Sequence, residues 1–179
     1  MNYSVSFVTA QFAITQAALA VTADASQTKV YGAADPALTY TITGFQGTDN
    51  EASLDTPVSI ARATGEGVSN YTITPSAAAD SNYSVSFVTA QFAITQAALT
   101  VTSNASQTKV YGATDPTLTF TIDGFVNGDN EASLDTGVVI SRVAGENVGD
   151  YTITTSGAAD SNYTISFTES TLAITPAAL

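Results

Sequence analysis

The sequence contains no cysteine, no histidine and no tryptophan. Without cysteine there are neither disulfides nor thiolate metal sites, so any fold must hold together by burial alone. The missing histidine removes the commonest general base and the commonest transition-metal ligand, and the missing tryptophan removes the usual sugar-stacking platform. Basic residues are almost as scarce, with 4 against 16 acids and a formal net charge of −12. Such a chain repels a phosphate backbone or an anionic membrane surface, which excludes nucleic acid as a partner. No apolar run approaches the ~20 residues of a membrane span, and no basic region precedes an apolar stretch at Met1, so direct membrane insertion of this segment is not expected. Charged residues make up only 11%. The polar surface is therefore carried by Thr, Ser, Asn and Gln, as is common outside cells. A catalytic role is not expected, and neither is a cofactor.

What the sequence does have is a period. Residues 2–81 align without a gap on 82–161, and 162–179 begin a third copy, the signature of a repeat architecture. The stretch NYSVSFVTAQFAITQAAL is identical in both full copies. Met1 stands in the register of Ser81 and Ser161, which reads as a start inside a longer array.

Alternation of period two marks seven short strands in the second copy: Leu99–Val101, Lys109–Tyr111, Leu118–Ile122, Val138–Ile140, Tyr151–Ile153, Tyr163–Phe167 and Leu172–Ile174. Turn residues separate them at Tyr111-Gly-Ala-Thr-Asp-Pro116, Gly145-Glu-Asn-Val-Gly149 and Asp160-Ser-Asn162. The fold class expected is all-β, as tandem small antiparallel domains. Asp49–Asp55 and Asp129–Asp135 break the alternation and predict a helix of one or two turns. Asn147-Val-Gly-Asp-Tyr151 has the spacing of a tyrosine corner, which Gly67-Val-Ser-Asn-Tyr71 matches in part. These features predict an immunoglobulin-like sandwich, with a β-grasp sheet carrying the short helix as the alternative. The Gln-Ala-Ala-Leu segments join strands without turn chemistry. They place domains at 18–97 and 98–179, with 1–17 as the closing hairpin of a truncated preceding repeat.

Lys109-Val-Tyr-Gly-Ala-Thr-Asp-Pro-Thr-Leu-Thr, Gly124-Phe-Val-Asn-Gly-Asp, Gly145-Glu-Asn-Val-Gly-Asp-Tyr-Thr-Ile-Thr, Asn162-Tyr-Thr-Ile-Ser-Phe and Leu172-Ala-Ile-Thr-Pro-Ala-Ala-Leu together resemble the MBG domain of the YGX type. The resemblance covers nearly the whole chain. It implies arrays in large bacterial surface or secreted proteins, including adhesins, and no catalytic residues. The partners expected are neighbouring repeats of the same chain and an unidentified surface receptor. The function expected is a spacer or stalk. Weak binding of glycan or protein multiplied by avidity, or cell–cell and biofilm self-association, are the alternatives.

Two sets of residues qualify as sites. Asp49, Asn50, Glu51 and Asp55, with Asp129, Asn130, Glu131 and Asp135, supply oxygens suited to calcium, although their spacing is not that of an EF-hand. Lys29 and Lys109 are candidates for an intramolecular isopeptide bond to an Asn side chain, which requires both groups buried beside a carboxylic acid. Lys109 adjoins turn residues and is expected to face solvent. Five Asn-x-Ser/Thr triplets, at Asn2, Asn70, Asn82, Asn104 and Asn162, are formal glycosylation acceptors that the repeat itself largely generates.

Overall fold

A computed structural model describes residues 1–178. The first copy contributes strands β1 (Ala17–Ala23), β2 (Gln27–Val30), β3 (Tyr40–Thr43), β4 (Ser59–Arg62), β5 (Ser69–Ser76), β6 (Tyr83–Val88) and β7 (Ala90–Thr95). The second copy contributes β8 (Ala97–Ser103), β9 (Gln107–Val110), β10 (Phe120–Asp123), β11 (Val139–Arg142), β12 (Gly149–Ser156), β13 (Tyr163–Thr168) and β14 (Ser170–Thr175). All seven strands expected in each copy are present, so the chain is all-β.

The residues form two compact units that do not follow the sequence period. One holds Met1–Ala25, Leu38–Ala63 and Thr72–Gln91. The other holds Ser26–Ala37, Thr64–Tyr71 and everything from Phe92 onward, and so combines segments of both copies.

In this second unit, β10-β8-β13 form a three-stranded sheet and β11-β12-β14-β9 a four-stranded one. Strand β12 touches both β8 and β13, so the sheets pack face to face, and Ser103 Oγ donates across the interface to the Ile153 carbonyl at 3.2 Å. Alternate residues point inward. Leu99, Val101 and Tyr163 from one sheet and Ile153, Leu172 and Ile174 from the other are buried. This is the layered core expected when sheet packs on sheet.

The pairing departs from the antiparallel expectation. Strand β8 pairs parallel with β13, from Ala97↔Tyr163 to Thr102↔Thr168. Strand β9 pairs parallel with β14, from Gln107↔Leu172 to Val110↔Thr175. Two nearly continuous runs, 97–110 and 163–175, lie side by side and leave one sheet for the other through short breaks at Asn104–Ser106 and Glu169. Bends of this kind let a strand serve both layers. Alternation reports which face a residue occupies and not the direction of its partner, so the sequence carried no sign of this ribbon. The sheets are mixed, with antiparallel β10 beside β8 in one and antiparallel β12 beside β14 in the other, β11 lying antiparallel on the far side of β12.

The first copy repeats the pairings register for register, with β1 antiparallel to β3 and parallel to β6, β2 parallel to β7, and β4 antiparallel to β5. The predicted short helices are single 3-10 turns, Glu51–Ser53 and Glu131–Ser133. Each has an Asn cap whose backbone amide in turn donates to the hydroxyl oxygen of the Ser at its end. Neither turn buries a residue, so among the described residues no helical layer of the β-grasp kind covers a sheet.

Residues 1–16 contain no strand, contrary to the hairpin expected there, and Tyr3, Phe7 and Phe12 are exposed. Their equivalents at 83–95 pair with β1 and β2. Both sets of such receiving strands in this chain are already occupied. Phe87 is 41% exposed, whereas Phe92 is fully buried. Phe87 lies just before the bend at Thr89, where the strand changes sheets and its alternation is interrupted.

Candidate functional site

The structural feature with most chemistry joins the two copies inside the second unit. Strand β7 ends at Thr95 and β8 begins at Ala97, so Gln96 alone separates them. Beside this connection, β2 ends in the Tyr31-Gly32-Ala33 turn. The Tyr31 amide donates to the Thr95 carbonyl at 2.8 Å, and the Ala33 amide to the Val30 carbonyl at 3.0 Å.

The second copy receives the Tyr31 ring on a prepared surface. Tyr163, at the start of β13, stands edge-on to Phe125 with centroids 5.7 Å apart. Its hydroxyl donates to Asp129 Oδ2 at 2.8 Å and accepts from the Val126 amide at 3.1 Å. Asn127 adopts a left-handed φ of 58°, a conformation that Asn tolerates better than most residues. Tyr31 then stands edge-on to Tyr163 at 5.5 Å. Its hydroxyl donates to the same Asp129 oxygen at 2.9 Å and accepts from Asn127 Nδ2 at 3.1 Å. A Cβ at Gly32 would collide with the Val126 side chain, and its φ of 79° disfavours other residues. The turn therefore needs Tyr for contact and Gly for approach. The Val68 amide adds a bond to Asn162 Oδ1 at 2.9 Å.

Although the Asn127 amide pulls it down, burial and Asp129 lift the Tyr31 phenol above its ordinary pKa. Burial pushes Tyr163 up to about 12, with Asp129 adding to the rise. Both phenols are held neutral, as donors to a carboxylate.

The first copy presents the same surface within its own unit. Tyr83 is edge-on to Phe45 at 5.9 Å, donates to Asp49 Oδ2 at 2.7 Å and accepts from the Gln46 amide at 2.9 Å. Against it lies a cavity of about 220 Å³ lined by Ile14–Ala17, Gln46, Asp49 and Ser81–Tyr83.

Lys109 is 7% exposed and Lys29 8%, which corrects the expectation that Lys109 faces solvent. The Lys109 ammonium is 2.7 Å from Asp115 Oδ1 and also bonds Glu146. Arg142 grips the same two acids, with Nε 2.6 Å from Asp115 Oδ2 and Nη2 2.6 Å from Glu146 Oε1. Two cations and two carboxylates thus neutralise one another, as buried charge requires. Lys29 pairs likewise with Asp35 and Glu66. Arg142 and then Lys109 hold the Asp115 carboxyl well below the usual carboxylate range, and the Asp115 and Glu146 bonds raise the Lys109 ammonium. An isopeptide bond needs an uncharged amine beside an Asn or a protonated carboxyl. These side chains instead form ion pairs.

Seven of the eight calcium candidates are engaged in separate local side-chain bonds. Asp49 and Asp129 receive the phenols described above, and Asn50 and Asn130 cap the 3-10 turns. Glu51 accepts from Tyr40, while Glu131 lies in the first turn of its 3-10 segment. Asp55 and Asp135 accept from the amides of Ser81 and Ser161 at 3.0 and 2.9 Å. Among the described residues no group of three or more acids converges on one point. The tyrosine corner is present in both copies, with Tyr151 donating to the Asn147 carbonyl and Tyr71 to the Gly67 carbonyl, each at 2.8 Å.

In the sequence, Tyr111 reads only as a strand end beside a turn, and Tyr31 is its equivalent in the first copy. The missed signal was the aromatic placed directly before a turn glycine, recurring with the period.

A comparison with curated proteins finds no match to the chain. The MBG domain (YGX type) family matches it twice, over residues 19–93 and 99–173, with the Tyr-Gly-Ala turns inside both matches. The chain accordingly belongs to the MBG domain family of the YGX type and carries two of its copies in tandem.

Proposed function

We propose that the chain is a spacer segment of a bacterial cell-surface or secreted adhesin, in which successive copies project a binding region away from the cell. The observation that carries this reading is the Tyr31 junction beside a one-residue connection. A linker of one residue leaves little freedom, and a buried tyrosine bonded to Asp129 and Asn127 restrains what freedom remains. By the compact-domain size rule, each copy adds about 30 to 40 Å. No catalytic group or cofactor enters this role, and the partners of a copy are its neighbours in the array. The family's repeats are typical of extracellular surface proteins, which supports the location. No helix among the described residues is long and apolar enough to cross a membrane.

The absence of native cysteine makes the test clean. Spin labels on Ser59→Cys and Val139→Cys, equivalent positions in the two copies, report a distance distribution by pulsed electron resonance. A narrow distribution that broadens in Tyr31→Ala is expected. A broad distribution in the unsubstituted background would sink the spacer reading.

A further inference from the structure

Asn127 and Gly128 are the one Asn-Gly pair in the sequence. They form the exposed centre of a turn that the Asp129 amide closes onto the Val126 carbonyl at 3.0 Å. Both have left-handed φ, 58° and 81°, the backbone that Asn-Gly favours in tight turns. Among the described residues nothing accepts a hydrogen bond from the Gly128 amide, and the space where its Cβ would stand is open. A free main-chain nitrogen with no side chain to shield it therefore follows directly on the Asn127 carboxamide. That is the arrangement in which a backbone can attack its own side chain. The first copy lacks the pair, since Gln46-Gly47-Thr48 stands in place of Val126-Asn127-Gly128.

We propose that Asn127 is a site of spontaneous deamidation, and that its conversion releases Tyr31 and loosens the junction between the copies. The proposal rests on the spacer reading given above. In the first step the Gly128 nitrogen bonds to Cγ of Asn127, the Cγ–Nδ2 bond breaks, and Nδ2 leaves as ammonia with the Gly128 amide proton. Water then opens the cyclic imide at either carbonyl, giving aspartate or isoaspartate, and the new carboxyl gives its proton to solvent. Either product removes the donor from which the Tyr31 hydroxyl accepts at 3.1 Å. The Tyr31 proton is already committed to Asp129, so the new carboxylate meets the phenol oxygen with no hydrogen between them and adds a like charge beside Asp129. Isoaspartate also routes the main chain through Cβ and Cγ, which lengthens the turn that holds Asp129 in place.

The junction in turn protects Asn127. Its Nδ2 is held on Tyr31, and ring closure requires that amide to let go. Conversion therefore proceeds from the momentarily opened junction, and its product closes less well. Each event is a one-way step toward a looser connection.

Peptide mapping by mass spectrometry tests this on the whole chain, fresh and after warm incubation at mildly alkaline pH. Conversion is expected at Asn127 ahead of the other asparagines, none of which precedes glycine, with aspartate and isoaspartate both among the products. Tyr31→Phe takes away the acceptor and is expected to convert about fivefold faster, the worth of one hydrogen bond. In the chain labelled at Ser59→Cys and Val139→Cys, the distance distribution is expected to broaden as conversion proceeds. It is expected to stay constant over the same period in Asn127→Gly, which carries the first copy's residue. An Asn127 that survives while other asparagines convert overturns the proposal, as does a rate unchanged by Tyr31→Phe or a distribution that stays narrow after conversion. A distribution already broad in the fresh, unconverted chain would instead sink the spacer reading, with the mapping still deciding whether Asn127 converts.

Discussion

Tyr31 stands edge-on to Tyr163, and both hydroxyls donate to a single oxygen of Asp129. The two tyrosines lie 132 positions apart in the sequence and belong to different copies. Edge-to-face geometry aims the positive rim of one ring at the negative face of the other, and the shared carboxylate fixes both phenols.

Removing the Tyr31 hydroxyl in Tyr31→Phe leaves Asp129 bonded to Tyr163 and deprives Asn127 of its acceptor. A loss of about 1 kcal/mol in denaturant unfolding is expected. Tyr31→Ala also removes the ring contact and is expected to cost about 3 kcal/mol. Equal effects from both substitutions would show that the ring contributes nothing.

Alkaline pH weakens the same contact. Tyr163 ionises at about 12 in the folded chain against an ordinary 10.0. The unfolded chain therefore gives up this proton first, and the stability it contributes is whole below about pH 10 and lost as pH rises toward 12. Tyrosinate absorbance is expected to lag in the native protein and to appear with unfolding. A Tyr163→Phe variant should flatten that pH dependence.

The acid side is governed by Arg142. Asp115 and Glu146 have depressed pKa values in the folded chain, so their contribution is complete above the ordinary carboxylate range and lost as pH falls below about 4. Arg142→Ala removes the stronger partner of Asp115 and the cation lying 5.4 Å over the Tyr151 ring. A loss of stability at neutral pH is expected, with a shallower dependence below pH 4. An unchanged acid profile would mean that the ion pairs are not formed in solution.

Because Lys29 and Lys109 meet ionised carboxylates, no covalent link is expected, and intact mass should equal the sequence mass. A deficit of one water or one ammonia per copy would establish an isopeptide bond. Chelator is likewise expected to leave the melting temperature unchanged, since seven of the eight residues proposed as calcium ligands are engaged in separate local bonds and no group of three acids converges among the described residues. A fall of several degrees would restore the metal reading.

Thr155 is buried, and its hydroxyl has no hydrogen-bond partner. The first copy places Pro75 there, with no hydroxyl to satisfy. Thr155→Val keeps the shape and removes the orphaned group, so a gain of about 1 kcal/mol is expected. A loss would reveal a partner, such as a water.

The strands were legible because Thr and β-branched residues alternate with turn residues throughout. The stretch read as Tyr163–Phe167 folds as Tyr163–Thr168. The corner at Tyr151 was legible from spacing, and Tyr71 forms it too because the acceptor is a backbone carbonyl, indifferent to the side chain at Gly67 or Asn147. The burial of Lys109 was not legible. Its position in β9 faces inward, but its compensating charges come from Asp115 and Glu146, which it shares with Arg142 and which no local pattern connects. The junction escaped for a related reason. It exists only when the turn of one copy meets the loop of the next, and a single period shows each half without the other.

The parallel ribbon also determines how a copy carries load. In the second copy the chain enters at Ala97, opposite Tyr163, and leaves at Thr175, opposite Val110. Tension applied at these two points pulls neighbouring strands along their own length in opposite directions. The ladder bonds are then loaded together in shear instead of opening one after another from an end. Stretched in a single-molecule instrument, each copy should hold until it ruptures in one abrupt step, and gradual low-force extension would contradict that geometry. A tether built of such copies keeps its length under drag until the force on it is high.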